Sequence, residues 1–224
     1  MKCLSVFIGK LPSYKSSPWC LLACVLAVGL GSLSVNEALA QPGTKWGTSP
    51  FEFSAKLLWT IQGRKAKAQL FVKFDRYRIE YLGGIRTDLG YAGVTIVRLD
   101  EQKVWYILSE RRTVVSVPLT AGYLLPFSVT LEGETSRTLI GDSVVGDRSA
   151  MLYEVVVQDR FGQTERFYEW VDADRNILLK LLSQDRDWFV EYGHVVVSSQ
   201  PDYYFETPLG YRMIEAQEAQ IPKG

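Results

Sequence analysis

The stretch from Phe51 to Leu119 alternates apolar and polar residues with a period of two, and this alternation constrains the fold more than any other feature of the chain. The apolar phase of its first segment consists of Phe51, Phe53, Ala55, Leu57, Trp59 and Ile61. Successive side chains of a β-strand point to opposite faces, so a period of two is typical of a strand with one buried face. The pattern predicts a sheet with one continuous apolar face.

Short turns divide this stretch into strands that fold back on one another. Two-residue turns at 63–64 and 75–76 would pair Trp59 with Ala68 and Val72 with Ile79. In this register the apolar side chains of three consecutive strands share one side. The sequence therefore predicts a wide antiparallel sheet.

Two segments interrupt the strand pattern. The first, Gly83 to Gly93, contains four glycines and is predicted to be a flap or rim loop between strands. The second, residues 121–127, is apolar but contains Gly122 and Pro126, so it predicts a short helical turn or loop that covers an open end of the sheet.

Strand signals resume after this covering segment. They span residues 138–145, 151–157, 166–171, 177–183 and 188–197. We therefore predict a mainly β fold of about ten strands in a single domain over residues 41–224.

The first forty residues are typical of a targeting segment. Three lysines precede an apolar run over residues 19–35, and Ala38 and Ala40 are the small residues that a signal peptidase reads. We predict a signal peptide over residues 1–40, cleaved before Gln41, and a periplasmic location. An uncleaved anchor is one alternative. Lipidation of Cys24 is another, although most of the apolar run follows Cys24 and does not precede it.

Cysteine and charge content exclude several classes of protein. All three cysteines lie within the predicted signal peptide, so the exported chain has no disulfide and depends on its core. Residues 41–224 contain 22 basic and 24 acidic residues and no basic run. This balance favours neither nucleic acid nor an anionic membrane surface as a partner.

The residue types needed for catalysis or metal binding are scarce. His194 is the only histidine, and no G-x-S-x-G motif is present. Residues 172–176 begin like a calcium loop, but Ile177 and Ser183 occupy the positions that need glycine and a bidentate acid. We predict a protein that is not an enzyme, with no catalytic residue, no metal site and no cofactor.

Three segments resemble the LolA/LolB type of the periplasmic lipoprotein-carrier superfamily, including its outer-membrane lipoprotein-sorting relatives. They are residues 70–80, residues 100–119, with Asp100, Trp105 and the Pro118-Leu119 pair, and residues 205–211. The resemblance spans nearly the whole exported chain in the right order. It implies a half-barrel, which is one curved antiparallel sheet with a lid of short helices over an apolar concave face that holds acyl chains.

The sequence departs from this superfamily at two places. Residues 41–50 contain Pro and Gly and cannot supply the amphipathic helix with which the carriers begin. The carrier arginine that latches the lid stands immediately before a proline, and its place here is taken by Phe74, followed by Asp75. The resemblance therefore does not extend to an open-and-close transport cycle.

The apolar face of the predicted sheet is the candidate ligand site. The residues predicted to line it are Phe53, Leu57, Trp59, Leu70, Val72, Phe74, Tyr77, Ile79, Tyr81, Tyr106 and Leu108. If the face is hollow, the chain is a monomeric carrier for a lipid or for the acyl chains of a lipoprotein. If its own side chains fill the face, the chain is an interaction or envelope-sensing module that binds a periplasmic or membrane protein.

Overall fold

The computed structural model describes residues 45–61, 64–87, 90–159 and 161–216. These residues form one curled sheet of twelve strands in the order β12-β6-β5-β4-β3-β2-β1-β11-β10-β9-β8-β7, which begins and ends on different strands and is therefore open. The strands are β1 (Phe53–Ile61), β2 (Arg64–Lys73), β3 (Arg76–Thr87), β4 (Gly90–Arg98), β5 (Lys103–Leu108), β6 (Thr113–Pro118), β7 (Glu134–Val145), β8 (Arg148–Gln158), β9 (Thr164–Asp172), β10 (Leu178–Ser183), β11 (Phe189–Val197) and β12 (Arg212–Glu215). The predicted open half-barrel is confirmed.

Helical structure in the described residues is limited to three short 3₁₀ turns. They span Ser109–Arg111, Ala121–Tyr123 and Asp202–Phe205. None of the helices in the described ranges is long and apolar enough to cross a membrane.

The hairpin registers differ from the predicted ones by two residues. Trp59 pairs with Ala66, and Val72 pairs with Tyr77. In the second hairpin the turn begins one residue earlier than predicted, because Phe74 adopts a positive φ of 53° and forms the turn with Asp75. A shift of two residues keeps every side chain on its predicted face.

The prediction of a loop over Gly83 to Gly93 was wrong. Within the described residues, β3 continues to Thr87 and β4 begins at Gly90, so most of this segment lies in strands. A register shift between Glu80 and Ile85 absorbs the extra residues, and Gly83 and Gly84 adopt positive φ there. Glycine therefore makes a bulge in the strand at this point. The strand count also exceeds the predicted number, in part because β12 adds to β6 in parallel.

The inner face of the sheet carries the main hydrophobic core. It is the face to which Phe53, Leu57 and Trp59 of β1 and Leu70 and Val72 of β2 point, and all five are buried. We call residues 119–131 the cover segment, because Leu125, Phe127 and Leu131 from it are buried in the same core. The predicted covering loop is confirmed.

The outer face has a smaller core under the C-terminal segment. Phe205 is fully buried against Ile96 and Trp105. Arg98 donates a hydrogen bond of 3.2 Å to the Phe205 carbonyl oxygen and forms a 2.7 Å ion pair with Asp100. The C-terminal segment around the turn at Asp202–Phe205 therefore covers the outer face of β4 and β5, which lie toward the β12 edge of the sheet.

Removal of the Phe127 ring should destabilise the whole domain, because that ring is 3% exposed within the inner-face core. We expect Phe127→Ala to lower the free energy of unfolding by about 3–5 kcal/mol in urea denaturation. Leu209→Ala is the control, since Leu209 is fully exposed and its truncation should cost less than about 0.5 kcal/mol. Equal effects of the two substitutions would contradict this packing.

Candidate functional site

The structure buries eight of the eleven predicted ligand-site residues and partly buries Tyr81 and Tyr106. Phe53, Leu57, Trp59, Leu70, Val72, Tyr77, Ile79, Tyr81 and Tyr106 belong to the inner-face core, and Leu108 lies in an adjoining cluster with Ala92 and Val115. The remaining residue, Phe74, lies in the turn between β2 and β3 and is 48% exposed. The structure therefore brings nine of the predicted residues together in the core that the cover segment joins, whereas Leu108 and Phe74 lie outside that core.

The ring of Phe127 occupies the middle of this inner face. Its centroid lies 5.8 Å from that of Phe53, 5.2 Å from that of Tyr77 and 5.9 Å from that of Tyr192. The contacts with Phe53 and Tyr77 are edge-to-face, an arrangement that aromatic quadrupoles favour. The cover segment thus fills the position where the sequence predicted a bound acyl chain.

Tyrosine hydroxyls of the sheet attach the backbone of the cover segment. Tyr192 donates a hydrogen bond of 2.5 Å to the Pro126 carbonyl oxygen, and Tyr77 donates one to the Tyr123 carbonyl oxygen. Tyr106 also forms a 2.8 Å hydrogen bond with the Tyr123 hydroxyl. Burial raises the pKa of the Tyr77 and Tyr192 hydroxyls, so they remain protonated donors.

A partly buried ion-pair cluster attaches the other end of the cover segment. Arg137 of β7 donates hydrogen bonds to the Val129 carbonyl oxygen, to Glu134 at 2.8 Å and to Glu169 of β9. Its guanidinium carbon also lies 5.2 Å from the centroid of the Tyr153 ring. One arginine therefore ties β7, β9 and the cover segment together.

Glu169 is fully buried on the inner face. Burial raises the pKa of its carboxyl group to about 8, because the cost of desolvating the charge outweighs the attraction of Arg137. Its Oε1 atom is buried and has no hydrogen-bond partner in the described part of the protein, so part of the desolvation cost is not compensated. Sequence reasoning missed this cluster. The available signal was a glutamate between Phe167 and Val171 in the apolar phase of β9.

Trp46 and Gly47, which precede β1, pack beside the cover segment. The Gly47 amide donates a 2.8 Å hydrogen bond to the Leu125 carbonyl oxygen. Gly47 has a φ of 87°, and a Cβ there would lie 2.7 Å from a Leu99 methyl group, so only glycine fits. Trp46 packs against Trp188 at 5.6 Å between ring centroids. These residues before β1 form no helix, as the sequence predicted, and they pack on the sheet and the cover segment.

His194 lines a polar cavity of about 690 Å³ at one end of the sheet. It adopts a positive φ of 50° where β11 shifts register against β1, and its side chain is exposed. Asp172 lines the same cavity, but its carboxylate oxygens are already engaged. Its Oδ1 accepts hydrogen bonds from the backbone amides of Asp174 and Arg175, and its Oδ2 lies 2.7 Å from Nε of Arg148. Asp172 is therefore buried at the end of β9, whereas residues 173–176 of the turn that follows are exposed. The described residues include no group of three His, Cys, Asp or Glu that could hold a metal ion.

No protein-family model matches this chain, and no curated protein matches it. Solved structures similar to it include an uncharacterized conserved protein from Thermus thermophilus, with 14% identity over 74% of this chain and 91% of that one, at a TM-score of 0.46. The complex of Pseudomonas aeruginosa MucA and MucB matches with 18% identity over 68% of this chain, at a TM-score of 0.41. The chain covers 54% of the length of that matched chain.

A third similar structure is a LolA superfamily protein from Nitrosomonas europaea. It is 10% identical over 72% of this chain and 92% of that one, at a TM-score of 0.31.

The stability of the domain should fall as the pH rises from about 4.5 to about 8. In this range folded Glu169 holds a proton that the unfolded carboxyl group releases, so the folded state binds more protons. Glu169→Gln keeps a neutral side chain at every pH and should flatten this dependence in urea unfolding at pH 5, 6, 7 and 8. Glu132→Gln, at an exposed position, should leave the slope unchanged. A Glu169→Gln variant with the parent slope would contradict a protonated Glu169.

Proposed function

We propose that this chain is a non-catalytic periplasmic interaction module that binds a protein partner and keeps its inner face closed with its own cover segment. The observation that supports this proposal is the packing of Phe127 among Phe53, Tyr77 and Tyr192. A carrier needs an inner face that a ligand can enter, whereas this face is occupied by part of the protein. The proposed partner therefore binds elsewhere on the sheet.

The free energies of the two possible occupants support the closed form. Burial of Leu125, Phe127 and Leu131 stabilises the cover segment by about 1.5–3 kcal/mol per side chain, or roughly 5–9 kcal/mol together. An acyl chain that buries about ten methylenes would gain roughly 8 kcal/mol. Association of a separate molecule costs a further 4 kcal/mol or more. Exchange of the cover segment for an acyl chain is therefore unfavourable at low ligand concentration.

The edge strand β7 is the proposed binding surface for the protein partner. β7 is twelve residues long, contains no Lys or Pro, and pairs only with β8, so its other edge has no partner strand in the described structure. Leu139, Ile140 and Val144 from it are 51%, 53% and 66% exposed. A long edge strand with exposed apolar side chains is a template for an added strand. The partner we propose is an extended segment of another protein with alternating apolar residues.

Bulges divide this edge and limit which partners fit. The pairing of β7 with β8 shifts register between Glu134 and Ser136 and again between Leu139 and Gly141. Bulges twist an edge away from indiscriminate pairing. The uninterrupted stretch from Asp142 to Val145 is therefore the part of β7 that an added strand can follow in regular register.

A carrier of lipid or acylated protein is the second candidate function. The small amount of helix and strand in the cover segment is the observation that supports it. After the turn at Ala121–Tyr123 no helix or strand begins until Glu134, and the sheet side chains Tyr77, Tyr192 and Arg137 hold the cover backbone through carbonyl oxygens. Release of these bonds would expose the predicted ligand-site residues of the inner face. An acyl chain would then take the place of Phe127.

Photo-crosslinking in cells tests the proposed edge. A photoreactive phenylalanine analogue at Val144 should yield a covalent adduct with one other protein, identified by mass spectrometry. The same analogue at Val196, which is 55% exposed on β11, should yield no such adduct. Val144→Lys should also abolish an adduct formed from position 142. Equal labelling from both strands, or adducts only with a second copy of this chain, would overturn the proposal.

Probe binding and a buried charge separate the two candidate functions. The closed module predicts that the parent protein does not bind a fluorescent fatty acid. Leu70→Glu, at a fully buried position, should lower the free energy of unfolding by several kcal/mol because the new charge has no partner. Leu209→Glu, at a fully exposed position, should not. Stoichiometric binding of the fatty acid by the parent, with a folded Leu70→Glu variant that no longer binds it, would establish the carrier instead.

A further inference from the structure

The outer face of the sheet is covered on only one side. The C-terminal segment packs Tyr204 and Phe205 over Phe71, Ile96 and Trp105. The outer side chains farther along the sheet, on β1, β11 and β10, lie outside this cluster. This second region presents a surface that the proposed function does not use.

Three lysines project from this region. Lys56 of β1 and Lys65 and Lys67 of β2 are all exposed. The hairpin register sets Leu58 opposite Lys67 and Thr60 opposite Lys65, so these side chains share the outer face. No carboxylate within the described ranges forms an ion pair with any of the three lysines. We call Lys56, Lys65, Lys67, Leu58 and Phe189 the lysine face.

Apolar side chains lie between these cations. The Lys65 ammonium group lies 5.6 Å from the centroid of the Phe189 ring of β11. Lys180 of β10 lies 5.9 Å from the same ring and 5.2 Å from the ring of Trp170. Leu58 and Phe189 are half-buried, so each presents part of its apolar surface to solvent. The lysine face therefore combines positive charge with accessible apolar surface.

Neighbouring carboxylates do not neutralise this surface. Glu191 of β11 is engaged by Lys180 at 3.1 Å, and Glu80 of β3 is engaged by Arg78 at 2.6 Å. The lysine face therefore carries a local excess of three positive charges, although residues 41–224 as a whole are slightly acidic. The net charge of the exported chain, which did not favour an anionic membrane surface as a partner, does not show this local positive charge.

We propose that the lysine face docks this protein on an anionic phospholipid surface. Lysine stems extend over apolar surface and carry the ammonium group to the level of lipid phosphates, while leucine and aromatic side chains between them enter the interface. β1 and β2 are both paired on their two sides, so the backbone there cannot accept an added strand of a protein partner. Side chains on the outer face of a sheet suit a broad charged surface better than an extended acidic peptide.

Charge neutralisation at the lysine face should reduce membrane binding strongly. Each lysine near an anionic surface contributes a factor of about five to the partition constant, so three contribute roughly 100-fold. We therefore expect Lys56→Gln/Lys65→Gln/Lys67→Gln to lower the partition constant roughly 100-fold. Co-sedimentation with vesicles that contain equal amounts of phosphatidylglycerol and phosphatidylcholine measures this constant. The protein used is the purified chain with its N terminus determined by mass spectrometry. Binding of the parent should weaken as salt rises and should be absent on pure phosphatidylcholine.

A matched variant separates the local surface from overall charge. Lys45→Gln/Arg111→Gln/Arg175→Gln removes the same charge from exposed positions outside the lysine face and should keep nearly parent affinity. Lys56→Arg/Lys65→Arg/Lys67→Arg should also bind as the parent does. Equal loss in both neutralised variants, equal binding to uncharged vesicles, or no binding of the parent would overturn the proposal. Tighter binding of the parent to polyglutamate than to anionic vesicles would overturn it in favour of an acidic protein partner.

Discussion

The fold depends on how one open, curled sheet removes its inner face from water. Twelve strands present more apolar surface on one side than their own side chains can bury against each other, and the sheet does not close on itself. Phe127 removes part of this apolar surface from water, because its ring packs on Phe53, Tyr77 and Tyr192. Without a segment in that position, the inner core would lie open to solvent.

The same constraint explains where polar groups are buried. The cover segment has little secondary structure, so its carbonyl oxygens need partners from the sheet. Tyr77 and Tyr192 supply hydroxyl donors and Arg137 supplies a guanidinium group. Arg137 is half-buried and donates hydrogen bonds to Glu134 and Glu169, and the burial of Glu169 in this arrangement raises the pKa of its carboxyl group. Closure of the inner face and the titration of Glu169 are therefore linked.

Much of the sheet could be predicted from the sequence, because alternation fixes the face of each side chain even when the register is wrong. The predicted pairing of Trp59 with Ala68 was two residues from the observed one, yet both side chains lie on the predicted inner face. The loop over Gly83 to Gly93 was wrong, because glycine also marks bulges within strands. The contacts of Arg137 with Glu169 and of Lys65 with Phe189 were not predictable, since each joins strands that are not consecutive in the chain, such as β1 beside β11.

Nuclear Overhauser effects from the Phe127 ring test the closed inner face most directly. In a sample with selectively labelled aromatic residues, we predict cross-peaks from Phe127 to Tyr77 and Tyr192, whose ring centroids lie 5.2 and 5.9 Å away. These cross-peaks should persist when a saturating concentration of a medium-chain fatty acid is added. Their absence in the free protein, or their loss on addition of the fatty acid, would contradict a face that the protein fills itself.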